Sequence, residues 1–253
     1  MSDSALESLL ARAAETLKSA RHAVAFTGAG ISVPSGIPDF RSPGGLWSRF
    51  DPMEVASIGA LRRDPKRVWE FLVEAMDFFG HAAPNPAHLA LAEMERAGRI
   101  RAVITQNIDG LHQEAGSRRV VEFHGGCQTF YCMGCKAPHD PGLARKITAS
   151  DIPWRCAACG GVVRPDVVFF GEGIPQAALH EASRLAAQAD AVLIVGTSGE
   201  VAPANQIPAN IKARGGTVIE INLGPTLYRD ITDIRFDAKA EEVLPLLASR
   251  TCC

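Results

Sequence analysis

The chain lacks a long hydrophobic run: no stretch approaches the ~18 uninterrupted apolar residues of a membrane-spanning helix. Nor is a secretory leader expected in residues 1–20. Residues 1–20 carry no basic cluster ahead of an apolar segment, and Glu7, Arg12, Glu15 and Lys18 interrupt the apolar positions. A charge excess is missing too. The 26 Lys and Arg stand against 28 Asp and Glu, net −2, so no bulk basic field draws the chain to nucleic acid or an anionic membrane. That balance does not exclude a local basic groove. There is no internal repeat and no low-complexity tract. These absences lead us to expect a cytoplasmic protein that acts on neither membrane nor nucleic acid.

What is present suits a folded enzyme. The 253 residues are 47% apolar and 21% charged, enough for one large domain or for a large domain carrying a smaller one. Leu6, Leu9, Leu10, Ala13, Ala14 and Leu17 recur at helical spacing, so the N-terminus reads as an amphipathic helix. Strands are expected at 22–27, 101–105, 167–170, 191–196 and 217–222. Helices are expected near Gly30 and at 65–79, 88–97, 176–189, 205–214 and 240–248, with Pro84 and Pro86 as an interruption. The stretch from Ile37 to about Phe50 is rich in Pro, Gly and Ser and reads as an ordered loop. Buried apolar strands alternating with helices predict an α/β fold with a parallel sheet covered on both faces.

Seven cysteines are present, at 127, 132, 135, 156, 159, 252 and 253. Four form two pairs, Cys132-x2-Cys135 and Cys156-x2-Cys159, separated by 20 residues. Four thiolates at that spacing close a tetrahedron around Zn²⁺, with an iron–sulfur cluster as the lesser alternative. Four sulfurs leave no open coordination position, so the zinc is expected to be structural. Gly134 and Gly160 supply the tight backbone of the two knuckles. Cys127, Cys252 and Cys253 are expected to bind nothing.

Gly28-Ala29-Gly30 lies between an expected strand and an expected helix. Glycines there let the backbone approach a pyrophosphate, and the helix N-terminus favours its charge. The full dinucleotide fingerprint has a third glycine three residues on; position 33 is Val. By itself the pattern fits a structural turn as well as a cofactor loop. Ser32, Ser35, Asp39 and Arg41 follow in a segment with Pro34, Gly36, Pro38 and Phe40, a composition suited to covering a ligand.

These residues carry a resemblance. Gly28-Ala29-Gly30-Ile31-Ser32 and Ser35-Gly36-Ile37-Pro38-Asp39-Phe40-Arg41 are similar to the opening motif of the sirtuins, the NAD-dependent protein deacylases. Thr105-Gln106-Asn107-Ile108-Asp109-Gly110-Leu111-His112 resembles their second motif and His124-Gly125 their third. The cysteine pairs, Val167 to Glu172, Gly196-Thr197-Ser198 and Ile221-Asn222-Leu223-Gly224 complete the order. The resemblance covers residues 20–247. It implies a Rossmann-like NAD domain formed by 1–36, 81–126 and 164–253. The smaller domain then comprises a helical and cofactor-loop insertion, 37–80, and the zinc module, 127–163. NAD is implied as a consumed co-substrate. An acyl group moves from a lysine side chain to ADP-ribose, leaving free lysine, nicotinamide and O-acyl-ADP-ribose.

The resemblance also implies residue roles. His124 is the expected general base, since imidazole titrates near working pH; the other histidines, His88 and His112 included, are expected to be packed or solvated. Asn107 orients a water or a ribose hydroxyl. Asp109 and the backbone at Ile108 meet the nicotinamide amide, with a helix N-cap as the plain alternative for Asp109. Gln106 meets a ribose. Gly28, Ala29, Gly30, Val33 and Asp39 surround the phosphates, Arg41 binds their oxygens, and Phe40 shields the reactive ribose or is a core aromatic. Gly196, Thr197 and Ser198 reach phosphate or ribose, Asn222 and Leu223 the adenosine ribose, and Ala240 the adenine side. Val168, Phe169, Phe170, Gly171 and Glu172 face Gly199, Glu200 and Val201 across an acyl-lysine peptide bound as an added strand. The 167–170 stretch reads equally as a core strand.

Relatives that remove succinyl or malonyl groups carry a Tyr and an Arg on the helix after the first loop. Phe71-Leu72-Val73-Glu74-Ala75-Met76 has neither, and Glu74 is expected to repel a carboxylate, so neutral acyl groups are expected, acetyl first. Ala202 stands where bulkier residues are usual, and Gly126-Cys127 after His124 also departs from the pattern. Mono-ADP-ribosyl transfer to protein is the alternative activity, and a non-catalytic NAD-sensing module the alternative class.

Overall fold

The computed structural model describes residues 3–40, 45–144 and 146–252. Its strands are β1 (Ala23–Thr27), β2 (Val103–Thr105), β3 (Val120–Glu122), β4 (Gly125–Cys132), β5 (Pro138–His139), β6 (Val163–Val167), β7 (Ala191–Val195), β8 (Thr217–Ile221) and β9 (Ile234–Phe236). The helices are α1 (Asp3–Ser19), α2 (Pro52–Val55), α3 (Ile58–Arg63), α4 (Pro65–His81), α5 (Pro86–Arg96), α6 (Leu111–Glu114), α7 (Pro141–Ala144), α8 (Gln176–Gln188), α9 (Gln206–Ala213) and α10 (Ala240–Thr251).

Among the described residues, six strands form one parallel sheet in the order β3-β2-β1-β7-β8-β9. The chain leaves β1 toward one edge and returns at β7 toward the other. The crevice between their carboxyl ends is therefore a topological switch point, where open α/β sheets bind ligands.

Both faces of the sheet are buried, and the side chains alternate between them. Ala23 and Ala25 of β1 and Leu193 of β7 pack with α1, α5 and α10. Val24, Phe26 and Ile194 pack with α8 and α9 on the opposite face. This explains why these strands read as continuous apolar runs. Each fully buried Phe, Leu or Ile contributes roughly 1.5–3 kcal/mol relative to exposure.

The cysteine-rich segment builds a second sheet, β5-β4-β6, antiparallel throughout. Its apolar face shares a core with α3 and α4: Leu61, Val68, Trp69 and Leu72 pack with Phe130, Val163 and Phe169. Trp69 Nε1 donates to the Val163 carbonyl at 2.9 Å, tying α4 to β6.

Three expectations need correction. The loop closed by Gly30 continues as a 3₁₀ segment, Ala29–Ser35, not an α-helix; Pro34 sits inside it and Gly36 ends it at φ 88°. The strand expected at 167–170 ends at Val167, and Phe170 instead makes a parallel bridge to Ser57. The helix expected from His88 starts at Pro86: Asn85 Oδ1 accepts the Ala87 N–H at 2.9 Å, and a proline in the first turn has no N–H to leave unpaired.

Candidate active site

The carboxyl ends of the central strands bring the expected residues together. β1 ends at Thr27 and is followed by Gly28, Ala29 and Gly30; β7 ends at Val195 and is followed by Gly196, Thr197 and Ser198. β2 delivers Gln106, Asn107, Ile108 and Asp109; His124 follows β3; Asn222 and Leu223 follow β8. Segments far apart in sequence thus line one edge of one sheet.

The glycines meet each other there. A Cβ on Gly28 would sit 2.7 Å from Thr197 Cβ, and one on Gly30 would sit 2.8 Å from Gly196 Cα. Gly196, at φ 61°, would place a Cβ 2.3 Å from the Ile31 nitrogen. The glycine requirement visible here is close contact between the two loops. Gln106 bridges the same crevice, its Nε2 donating to Thr197 Oγ1 at 2.9 Å.

His124 is held at one nitrogen. Its Nδ1 lies 3.2 Å from the Gln106 carbonyl, which can only accept, so Nδ1 carries the proton and Nε2 keeps its lone pair. Burial lowers the His124 pKa below the ordinary 6.5, against the raising effect of the Gln106 carbonyl. The imidazole is therefore neutral and basic at Nε2 at neutral pH. Gly125, at φ 72°, follows it; a Cβ there would overlap the Asp166 carbonyl, so β6 can approach His124 only past a glycine.

Behind Asn107 and Asp109 lies a buried polar network. The Ser32 hydroxyl donates to Asp109 Oδ2 at 2.7 Å and accepts from Asn107 Nδ2 at 3.1 Å. Asp109 Oδ1 accepts the Leu111 N–H at 3.0 Å, so the helix-start reading of Asp109 holds alongside its place in the network. His88 Nδ1 accepts the Asn85 N–H at 3.4 Å, which leaves its Nε2–H to face Ser32 Oγ at 3.5 Å. His112 Nε2 lies 2.9 Å from Thr27 Oγ1; that hydroxyl donates to Thr105 Oγ1, which accepts the Asn107 N–H at 3.0 Å. His88 and His112 are packed histidines, as expected, with rings 4.9 Å apart. Burial lowers His88 to about 4 and His112 to about 3, so both are neutral. Asn85 and Thr27 were given no role from sequence, and Thr105 was noted only as the first residue of the second motif.

The remaining expected residues fall as follows. Phe40 stacks on Trp47 at 4.9 Å, and Trp47 continues to Phe71 and Phe170. Asp39 accepts the Leu46 N–H through its carbonyl. Val33 is exposed. Arg41 and Cys253 lie outside the described residues. Asn222 Nδ2 donates to the Leu223 carbonyl, Leu223 is exposed, and Ala240 is buried at the start of α10. Phe169 is buried and Phe170 partly exposed; the Val168 N–H donates to the His124 carbonyl at 2.8 Å. Gly199 packs on the Tyr228 ring, where a Cβ would sit 2.8 Å away, and Glu200 and Val201 follow it. Glu74 does not stand as a bare repelling charge: Arg49 pairs with it at 2.7 Å.

The four cysteines form the expected centre. The Sγ atoms of Cys132, Cys135, Cys156 and Cys159 all lie within 4.8 Å of one another. Cys132 and Cys159 are 3.4 Å apart, and Cys135 and Cys156 are 3.8 Å apart. A tetrahedron with ~2.3 Å zinc–sulfur bonds places sulfurs ~3.8 Å apart, so the donor set fits a structural Zn²⁺. The N–H groups of Gly134 and Gly161 point at Cys132 and Cys159 sulfurs, at 3.3 and 3.4 Å, which suits thiolates. Gly161 was missed from sequence, yet a Cβ there would sit 2.8 Å from Cys132 Sγ. Cys127 takes no part; burial raises its thiol to about 12.

With this geometry in view, the likeness to known proteins is close. The sequence profile described as the Sir2 family matches residues 28–203. An NAD-dependent protein deacetylase of Caldivirga maquilingensis is 52% identical over 237 residues, 93% of this chain and 91% of that one. An NAD-dependent protein deacylase of Thermococcus kodakarensis is 48% identical over 246 residues, 96% and 95% of the two chains. A Sir2 structure with a deacetylated p53 peptide and 3'-O-acetyl ADP ribose superposes with a TM-score of 0.91 at 37% identity, covering 96% of this chain and 98% of that one.

Proposed function

The chain belongs to the Sir2 family, and from that premise we propose how its cleft works and which acyl groups it removes. It is an NAD-dependent protein deacylase that consumes NAD as co-substrate, with four cysteines positioned to hold a structural metal ion. We assign His124 as the general base. The observation that carries this is its single hydrogen bond from Nδ1 to the Gln106 carbonyl, which leaves Nε2 free and basic in a partly buried setting.

Bound NAD supplies the ribose carbon that receives the acyl oxygen as nicotinamide departs. The chain's residues arrange this event. Asn107 and Asp109 are fixed by Ser32 and face the nicotinamide side, where preorganised donors and acceptors require no rearrangement. Gln106, with Thr197 and Ser198, holds the riboses and phosphates at the switch point, together with Gly28, Ala29, Gly30, Val33, Asp39 and Arg41. Phe40, stacked on Trp47, covers the reacting centre and keeps water out. Asn222, Leu223 and Ala240 serve the adenosine end. His124 Nε2 accepts a proton from a sugar hydroxyl.

The substrate is an acyl-lysine peptide lying between Val168–Glu172 and Gly199–Val201 as an added strand. Neutral acyl groups are preferred, acetyl first. Phe71, Ala75 and Val55 with Trp47 and Phe50 form an apolar wall, and the nearby Arg49 is engaged by Glu74. Discrimination against acidic acyl groups then rests on the want of an available cation, not on repulsion by Glu74. Residues 1–36, 81–126 and 164–253 form the NAD-binding domain in this reading, with 37–80 and 127–163 as the small one. No described helix is long and apolar enough to cross a membrane. We place the protein in the cytoplasm, where reducing conditions suit the free cysteines.

A panel of acyl-lysine peptides with NAD tests this on wild type and His124→Ala. Acetyl-lysine is turned over faster than succinyl-lysine, and the variant loses roughly 10²–10⁴ in rate. Wild-type turnover by His124→Ala rejects the base. ADP-ribosylated protein in place of O-acyl-ADP-ribose, seen by mass, rejects deacylation in favour of ADP-ribosyl transfer.

A further inference from the structure

The chain turns sharply from Phe169 to Glu172. The Glu172 N–H donates to the Phe169 carbonyl at 2.9 Å, and Gly171 takes φ 86°, the positive angle that the third position of a type II turn requires. The Glu172 side chain closes the same turn from the other side, accepting the Phe169 N–H on Oε2 at 3.0 Å. Both backbone groups of Phe169 are thus tied off within the turn.

Glu172 is itself held by Arg164 of β6. The Arg164 Nη1 and Nη2 donate to Oε1 and Oε2 at 2.7 and 2.8 Å, a bidentate pair. The guanidinium also donates to the Pro165 and Val167 carbonyls and lies over the Phe169 ring at 4.4 Å. Its side chain is 2% exposed, against 25% for Glu172. Arg164 pairs in register with Tyr131, and the next pair is Val163 with the zinc-centre residue Cys132. The strand pair carrying a metal-ligand cysteine therefore also carries the anchor of the 168–172 segment.

An ion pair this buried is a poor stabiliser, because desolvation offsets most of its attraction. What it supplies is direction: five fixed donors allow one placement of Glu172. The pair borders an open pocket of about 380 Å³ lined by Ile58, Arg62, Asp166, Val168 and Gly171, on the surface of the segment.

We propose that Arg164 is a positioning residue for substrate binding: through Glu172 it sets the turn that ties off Phe169 and presents the Val168 carbonyl and the Gly171 backbone to the acyl-lysine peptide. The inference rests on the reading that this segment carries the peptide. Arg164→Lys and Glu172→Gln should raise the peptide KM on the order of tenfold, with a smaller change in kcat and none in the KM for NAD. Zinc content and melting temperature report whether each variant is folded. The apolar pair Arg164→Met/Glu172→Met guards against misfolding of the single variants; it should fold and still show the raised peptide KM. A wild-type peptide KM in folded variants, or equal loss toward peptide and NAD, overturns the proposal. Hydrogen exchange of wild type separates the two readings. Protection of the Gly171 amide on adding acetyl-lysine peptide is expected, since its neighbours at 168, 169, 170 and 172 already donate within the chain, and its absence rejects the peptide placement itself. Protection with unchanged KM values rejects only the role of Arg164.

Discussion

Lowering the pH from 7 to 5 should destabilise the fold through His88 and His112, by an amount the structure defines. Both are buried and held neutral, at about 4 and about 3 against 6.5 for the free side chain. Between the folded and unfolded values the unfolded chain binds more protons than the folded one. Stability is therefore fully present above pH 6.5 and is lost as pH falls through that window. At pH 5 protonation favours the unfolded state by ~2 kcal/mol per histidine, since 6.5 lies 1.5 units higher at ~1.4 kcal/mol each. The figure depends little on how far burial depresses the folded values, provided they lie below 5. The pair contributes ~4 kcal/mol, a large share of a typical 5–15 kcal/mol stability. His124, also lowered, acts in the same direction. Glu122, raised by burial, acts against it. Urea denaturation at pH 7 and pH 5 measures the total. His112→Gln isolates one histidine: its amide can still reach Thr27, but it cannot titrate. The variant should lose ~2 kcal/mol less than wild type between the two pH values. An identical loss in both proteins would refute the reasoning.

Three further outcomes are expected. Chelating the metal should open the small module around Trp154, which packs with Trp69, Phe130 and His139; tryptophan emission shifts to the red and activity is lost, whereas an unchanged spectrum in metal-free protein contradicts a structural centre. Ser32→Ala removes the donor to Asp109 and the acceptor for Asn107, leaving buried polar atoms unpaired. That costs ~1–3 kcal/mol, read as a 10- to 100-fold fall in kcat/KM without loss of zinc. The acidic limb of kcat/KM should lie below pH 6.5, because burial lowers His124 and keeps Nε2 unprotonated; a limb above 6.5 assigns the base elsewhere.

The parts of this architecture that show in sequence are those written in local pattern. β1 and β7 are almost wholly apolar five-residue runs, and β8 reads the same way apart from Thr217 and the buried Glu220; burial on both faces makes them plain. β3 and β9 have three residues each, too few for any periodicity, and were missed. The cysteine centre is legible because each pair is closed within one turn of chain. The antiparallel β4–β6 pairing that carries it is not, since Gly and Cys replace the usual alternation. His124, Asn107 and Asp109 were found through ordered motifs. The network behind them was not, because Ser32 meets His88 and Asp109 across 56 and 77 residues. Arg164 gave no signal: a single arginine in a strand is ordinarily a solvated side chain, and only the fold buries it against Glu172.

The contact between Gly30 and Gly196 has a mechanical side. Backbone touches backbone there with no side chain between, and Gln106 spans the same gap. A side chain at either glycine would force the two loops apart. The second loop continues through Thr197 and Ser198 to Gly199, seated on Tyr228. In the proposed reading, the shelf for the dinucleotide and the wall for the polypeptide are two stretches of one joined surface at the carboxyl ends of β1 and β7.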